Sequence, residues 1–165
     1  MFELKPLSKE AIPKALERAD RYRLLNEPAE AESICLDILE ADPENQRALV
    51  TLILALTDQF DRVDYSVGHT EFHDLLPRLH DDYDRAYYAG VISERRAKAS
   101  LRRQMHPSAA YEWFREAMSW YEKAEAIRPP GNDDAVLRWN TCARIFMHNT
   151  HLQPREEEAA EPYLE

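Results

Sequence analysis

His69 and His73 stand four residues apart, and on a helix that spacing puts both imidazoles on one face at metal-ligand separation. Glu71, Asp74, His80, Asp81 and Asp82 are close in sequence and could complete a site. The zinc-protease pattern, however, needs Glu directly after the first His, whereas Thr70 fills that place here and Glu71 comes one place late. The pair reads as surface histidines on an acidic helix. A metal-binding protein or metal-dependent enzyme using His69, His73 and nearby carboxylates is the alternative function. His148 and His151, three apart, read as surface residues too.

Nucleophilic catalysis finds no candidate, because there is no Gly-x-Ser-x-Gly elbow and neither Cys35 nor Cys142 has a His or a glycine turn beside it. The two cysteines lie far apart with no second Cys near either, so they read as buried free thiols. Gly68, Gly90 and Gly131 are the only glycines and each stands alone, which excludes a dinucleotide fingerprint and a Walker loop. Asp133 and Asp134 are explained by the positive start of a helix, and Asp81 and Asp82 need no catalytic role. The chain is read as non-catalytic and without a cofactor.

A denser signal is Arg95, Arg96, Lys98, Arg102 and Arg103, five cations with only Glu94 among them. Helical periodicity puts Arg95, Lys98 and Arg102 on one face and Arg96 and Arg103 on another. They either neutralise acidic neighbours such as Asp81, Asp82 or Glu112, or form a docking site for an acidic peptide or anionic ligand through arginine forks.

These residues sit in a chain of 165 residues whose formal net charge is -10. Such a charge repels the phosphate backbone of nucleic acid. Five Glu and one Arg within 155–165 supply -4 of it, and that low apolar content marks 153–165 as an acidic, disordered tail to a helical domain over 1–152. The longest uncharged apolar stretch, 48–56, is far short of the roughly 20 residues a membrane helix needs. The N-terminus lacks the basic-then-apolar order of a secretion signal, so a cytoplasmic protein is expected.

Ala, Leu and Glu dominate over Val, Ile and Thr, which favours helices. Ile12, Ala15, Leu16, Ala19 and Tyr22 mark one face of a helix that ends near Asn26. Pro28 opens a second helix, buried through Ala31, Ile34, Cys35, Ile38 and Leu39 and closed by Asp42-Pro43. The short connection makes the two an antiparallel hairpin. A third helix over 44–59 has almost no polar face. The stretch 61–80, broken by Gly68 and Pro77, is read as a helix with a poor start. A long helix over 81–104 buries one side through Tyr83, Ala86, Tyr87, Gly90, Ala97 and Leu101, with Gly90 allowing close approach of a neighbour. The helix over 107–127 carries an aromatic stripe that includes Trp113, Phe114, Trp120 and Tyr121, and Pro129-Pro130-Gly131 stops it. A last helix, capped by Asn132, buries Ala135, Trp139, Ala143 and Phe146. Seven helices result.

The segment 12–45 resembles a tetratricopeptide repeat, with Ala19 and Tyr22 in the small and aromatic places of the first helix, Ala31 in the small place of the second, and 39–45 as the closing turn. A looser copy places Ala117, Tyr121 and Ala124 before Ile127-Arg128-Pro129, with the long helix as its first member. Pro77 falls one repeat length after Pro43, although 61–80 lacks the small-residue spacing. The resemblance implies an all-α fold: an α-α superhelix of about three hairpins with a C-terminal capping helix. It further implies that first helices line a concave surface, which makes Leu16, Asp20, Arg23, Leu24, Tyr88, Arg95 and Arg102 candidates for binding a partner protein or peptide of acidic character. The family's carboxylate clamp requires Lys and Asn where Leu16 and Asp20 stand, so that ligand is disfavoured. Self-association through an imperfect middle repeat is a third reading.

Overall fold

The computed structural model describes residues 1–62 and 69–154. Among the described residues there are seven α-helices and no strand: α1 (Ile12–Leu24), α2 (Pro28–Ala41), α3 (Gln46–Asp58), α4 (His69–Leu75), α5 (Asp82–Arg102), α6 (Pro107–Ala126) and α7 (Asp134–His148). None is long and apolar enough to cross a membrane.

Local chemistry accounts for most of the boundaries. Pro28 and Pro107 sit in the first turns of α2 and α6, where the missing N–H has no intrahelical partner. Asn45 caps α3 by accepting from the Ala48 N–H at 2.9 Å, and Asp81 caps α5 by accepting from the Tyr83 N–H at 2.8 Å; each such cap contributes about 1 kcal/mol. After α1 the chain turns at Asn26, whose φ of 59° is the left-handed conformation that Asn tolerates. The Glu27 N–H then closes the helix end by donating to the Tyr22 carbonyl at 2.8 Å. At the start of α7 the N-cap position falls on Asp133, one place later than expected, but the side-chain contact comes from Asn132, which accepts from the Asp134 N–H and also from the Tyr83 hydroxyl.

Successive helices pack on one another: α1 on α2, α2 on α3, α5 on α6 and α6 on α7, with α1 against α3 and α3 against α5. As expected, α3 is buried on nearly every side. Within 61–80 the described helix begins at His69 and passes into a 3-10 turn, Leu76–Arg78, at Pro77; 63–68 lies outside the described residues, and so does 155–165, most of the tail expected to be disordered. Leu152 is buried in the core beside α7.

Two cores result, one among α1 to α4 and one among α5 to α7. Helix α5 lies between them. It is therefore buried on two sides rather than the single side expected: Ile92 and Ala99 join the first core, while Tyr83, Ala86, Val91 and Ala97 join the second. Tyr87 and Leu101, expected inside, are half-buried. Trp139, Ala143 and Phe146 are also only half-buried, because among the described residues no helix follows α7, and its outer side exposes Leu137 and Met147.

Small residues bring α5 and α6 together, as the sequence predicts at Gly90. A Cβ built there would stand 2.5 and 2.7 Å from carbons of the fully buried Tyr121 ring. Gly90→Ala should accordingly cost about 1–2 kcal/mol, since overpacking in a dense core outweighs the roughly 1 kcal/mol that alanine returns in helix propensity. A lower urea midpoint with unchanged slope is the expected readout; an unchanged midpoint would mean the Tyr121 ring can step aside.

Candidate functional site

Three helices are tied by one carboxylate. Asp58, at the end of α3, accepts from Arg23 Nε of α1 at 2.7 Å and from Arg95 Nη1 of α5. All three side chains are about four-fifths buried. Nearer the start of α3, Asp20 of α1 accepts from Arg47 at 2.5 Å and from the Thr51 hydroxyl at 3.2 Å. Beyond Asp58, Arg102 of α5 grips Asp61 with two donors, Nε at 2.9 Å and Nη2 at 2.7 Å. Bidentate contact of this kind fixes orientation as well as charge.

A fourth carboxylate is Glu94, which is completely buried. It accepts from the Tyr121 hydroxyl of α6 at 2.5 Å, from Lys98 one turn along α5, and from Arg138 of α7 at 3.3 Å. Burial, with Glu94 beside it, pushes the Tyr121 hydroxyl far above its ordinary range, so it remains a donor. Glu94, Tyr121 and Arg138 thus join α5, α6 and α7 as Asp58 joins α1, α3 and α5.

Together these side chains form a polar trough of about 250 Å³, lined by Thr57, Asp58, Asp61, Arg95, Lys98, Arg102 and Arg138. Four cations face two carboxylates there, so the local sign opposes that of the chain. A field of that kind draws in anions even when net charge repels them.

Arg95 and Arg102 lie in this trough, and Arg23 and Asp20 are joined to the same row of helices through α3. Leu24 and Tyr88 are not brought to it. Leu24 is exposed at the end of α1, and Tyr88 is half-buried against both cores. Leu16 is buried in the first core and unavailable to a partner, because it shares the buried side of α1 with Ile12 and Ala19. Arg96 and Arg103 separate from the other three cations, as their spacing predicts. Arg96 is set among the rings of Phe60, Phe72 and Trp113, with centroids 4.9 to 5.9 Å away, and Arg103 donates to the Phe60 and Arg62 carbonyls. The acids that answer the arginines are Asp58, Asp61 and Glu94; among those expected, Asp82 instead pairs with Arg85 within α5.

Asp58, Asp61 and Arg138 escaped sequence reasoning because their partners are 35 to 44 residues away. Only Glu94 and Lys98, one helical turn apart, left a readable signal. Of the histidines, His73 is exposed, His80 meets Glu44 at 2.8 Å, and the side chain of His69 lies outside the described residues. Among the described residues no three His, Cys, Asp or Glu groups come together to hold a metal. Cys35 and Cys142 are buried and unpaired with each other.

Glu94→Gln should lower stability by about 2–3 kcal/mol, since Lys98 and Arg138 lose the charge that answers them in a buried site. Amide exchange should rise in α7 more than in α1; equal rises would show that Glu94 does not hold α7. Burial pushes both thiols up to about 12. An unfolded cysteine ionises near 8.5, so the folded state binds more protons between the two values. The stability contributed by the protonated thiols is intact below about pH 8.5 and is lost as pH climbs towards 12. The native chain should resist a thiol reagent at pH 8 and react only on unfolding. The urea midpoint should drop less from pH 8 to 10 in a Cys35→Ala, Cys142→Ala variant than in the parent.

Compared with family models, with curated proteins and with solved structures, the chain matches none.

Proposed function

We propose that this chain is a non-catalytic interaction module of the cytoplasm, a tetratricopeptide-like stack that binds a partner protein or peptide of acidic character along α1, α3 and α5. The observation that carries this reading is the lining of the trough. Arg95, Lys98, Arg102 and Arg138 converge on about 250 Å³ in a chain with a net charge of -10. Two further features support it. Helices α1, α3 and α5 pack in succession, and Asp58 at the end of α3 stands between Arg23 of α1 and Arg95 of α5. The pocket is walled by long charged side chains, which suit carboxylates or backbone carbonyls of a chain laid across them.

No cofactor enters this reading, and nucleic acid is disfavoured by the overall charge. Charge reversal at Arg95 and Arg102 should abolish capture of the native partner from the source cell while the far-ultraviolet circular dichroism stays helical. Capture that survives the Arg95→Glu, Arg102→Glu change would refute the trough as the binding surface. Because Arg95 also answers Asp58, a modest fall in melting temperature is expected alongside.

A further inference from the structure

The trough carries more positive charge than its own acids answer. Arg23, Arg95, Lys98, Arg102 and Arg138 share Asp58, Asp61 and Glu94, which leaves an excess of two positive charges within this set of ion pairs. Two of the three acids serve a pair of cations each. Glu94 is completely buried and gives its oxygens to Tyr121, Lys98 and Arg138, so it presents little charge to the opening.

Donors are left over as well as charge. Arg95 bonds Asp58 through Nη1, and its Nε and Nη2 have no partner among the described residues. Arg102 places Nε and Nη2 on Asp61, with Nη1 remaining. Lys98 gives one of its three N–H groups to Glu94. These donors come from one face of α5 and border one small polar pocket.

A single carboxylate would answer half of this excess. A phosphate monoester answers all of it, since it carries close to two negative charges at neutral pH and three strong acceptor oxygens on one tetrahedral atom. Guanidinium forks match that geometry. A polyphosphate chain, by contrast, must extend over a surface whose overall charge is negative.

We propose that the trough is a recognition site for a phosphorylated serine or threonine side chain on the partner polypeptide, with Arg95, Lys98 and Arg102 as its donors and Arg138 at its edge. This deepens the reading of the trough as a protein-binding surface and rests on it.

Fluorescence anisotropy at 0.15 M salt with three labelled pools of degenerate short peptides tests the assignment. One pool has a central phosphoserine, one a serine in its place, and one two adjacent glutamates. The phosphoserine pool should bind at least tenfold more tightly than the serine pool and several-fold more tightly than the diglutamate pool. Arg95→Gln with Arg102→Gln should remove that preference. Arg102→Gln alone, at an exposed position, should weaken it several-fold if the double variant proves unstable.

Equal binding of the phosphoserine and serine pools overturns the proposal. Equal binding of the diglutamate and phosphoserine pools, lost in the variants, overturns the phosphate assignment while the acidic-partner reading stands. Inorganic phosphate binding as tightly as the phosphoserine pool would identify the free anion as ligand and overturn the peptide assignment. If no pool binds, the phosphate assignment falls, and partner capture by the parent chain, lost on charge reversal, decides the trough reading on its own.

Discussion

Helix α5 has to be buried on two opposite sides, and most of what is distinctive in this fold follows from that constraint. A helix in this position has no full face to give to solvent, so its polar residues must find partners inside the protein or crowd onto the narrow strip that remains. Glu94 takes the first course and is satisfied by groups from α6 and α7 as well as α5. Arg95, Lys98 and Arg102 take the second. The trough is thus the strip of α5 that neither core covers. The small residues that let α6 approach so closely, with Gly90 beneath Tyr121, are the same condition seen from the other side.

The carboxylates at the edge of that strip do two jobs with few groups. Asp58 receives a cation from α1 and another from α5, so a single side chain ties α1 and α3 to α5. Exposed ion pairs contribute little, typically under about 1 kcal/mol. Asp58 and its two arginines are mostly withdrawn from water, so their geometry is more constrained than that of the half-exposed Arg102 and Asp61. The same economy leaves guanidinium donors without partners among the described residues, which gives a surface with the wrong sign for its chain.

Much of the architecture was legible in the sequence because the boundary signals are local. Pro28, Pro107, Asp42-Pro43 and Pro129-Pro130 act through the conformation of one or two residues, and the apolar spacing of α1, α2 and α3 follows directly from helical period. What escaped was set by tertiary surroundings. Sequence periodicity assigned one buried side to α5, since nothing local reveals that a second core lies behind it. It also overstated the burial of Trp139 and Phe146, whose apolar character is the same whether or not a further helix covers them. In the site, the face shared by Arg95, Lys98 and Arg102 was readable from spacing alone. The acids opposite them come from α3 and the turn after it, and the arginine that completes the pocket from α7, separations that no periodic pattern can bridge.

Arg96 stands apart from all of this, half-buried among Phe60, Phe72 and Trp113 on the other side of α5. Attraction between a cation and aromatic faces in a desolvated setting is screened weakly by dissolved ions, while partly exposed pairs such as Arg102 and Asp61 are screened strongly. Concentrated electrolyte would consequently loosen one flank of the helix and spare the other. The chain is fastened along α5 by two kinds of clasp, one of which a change in ionic strength can open.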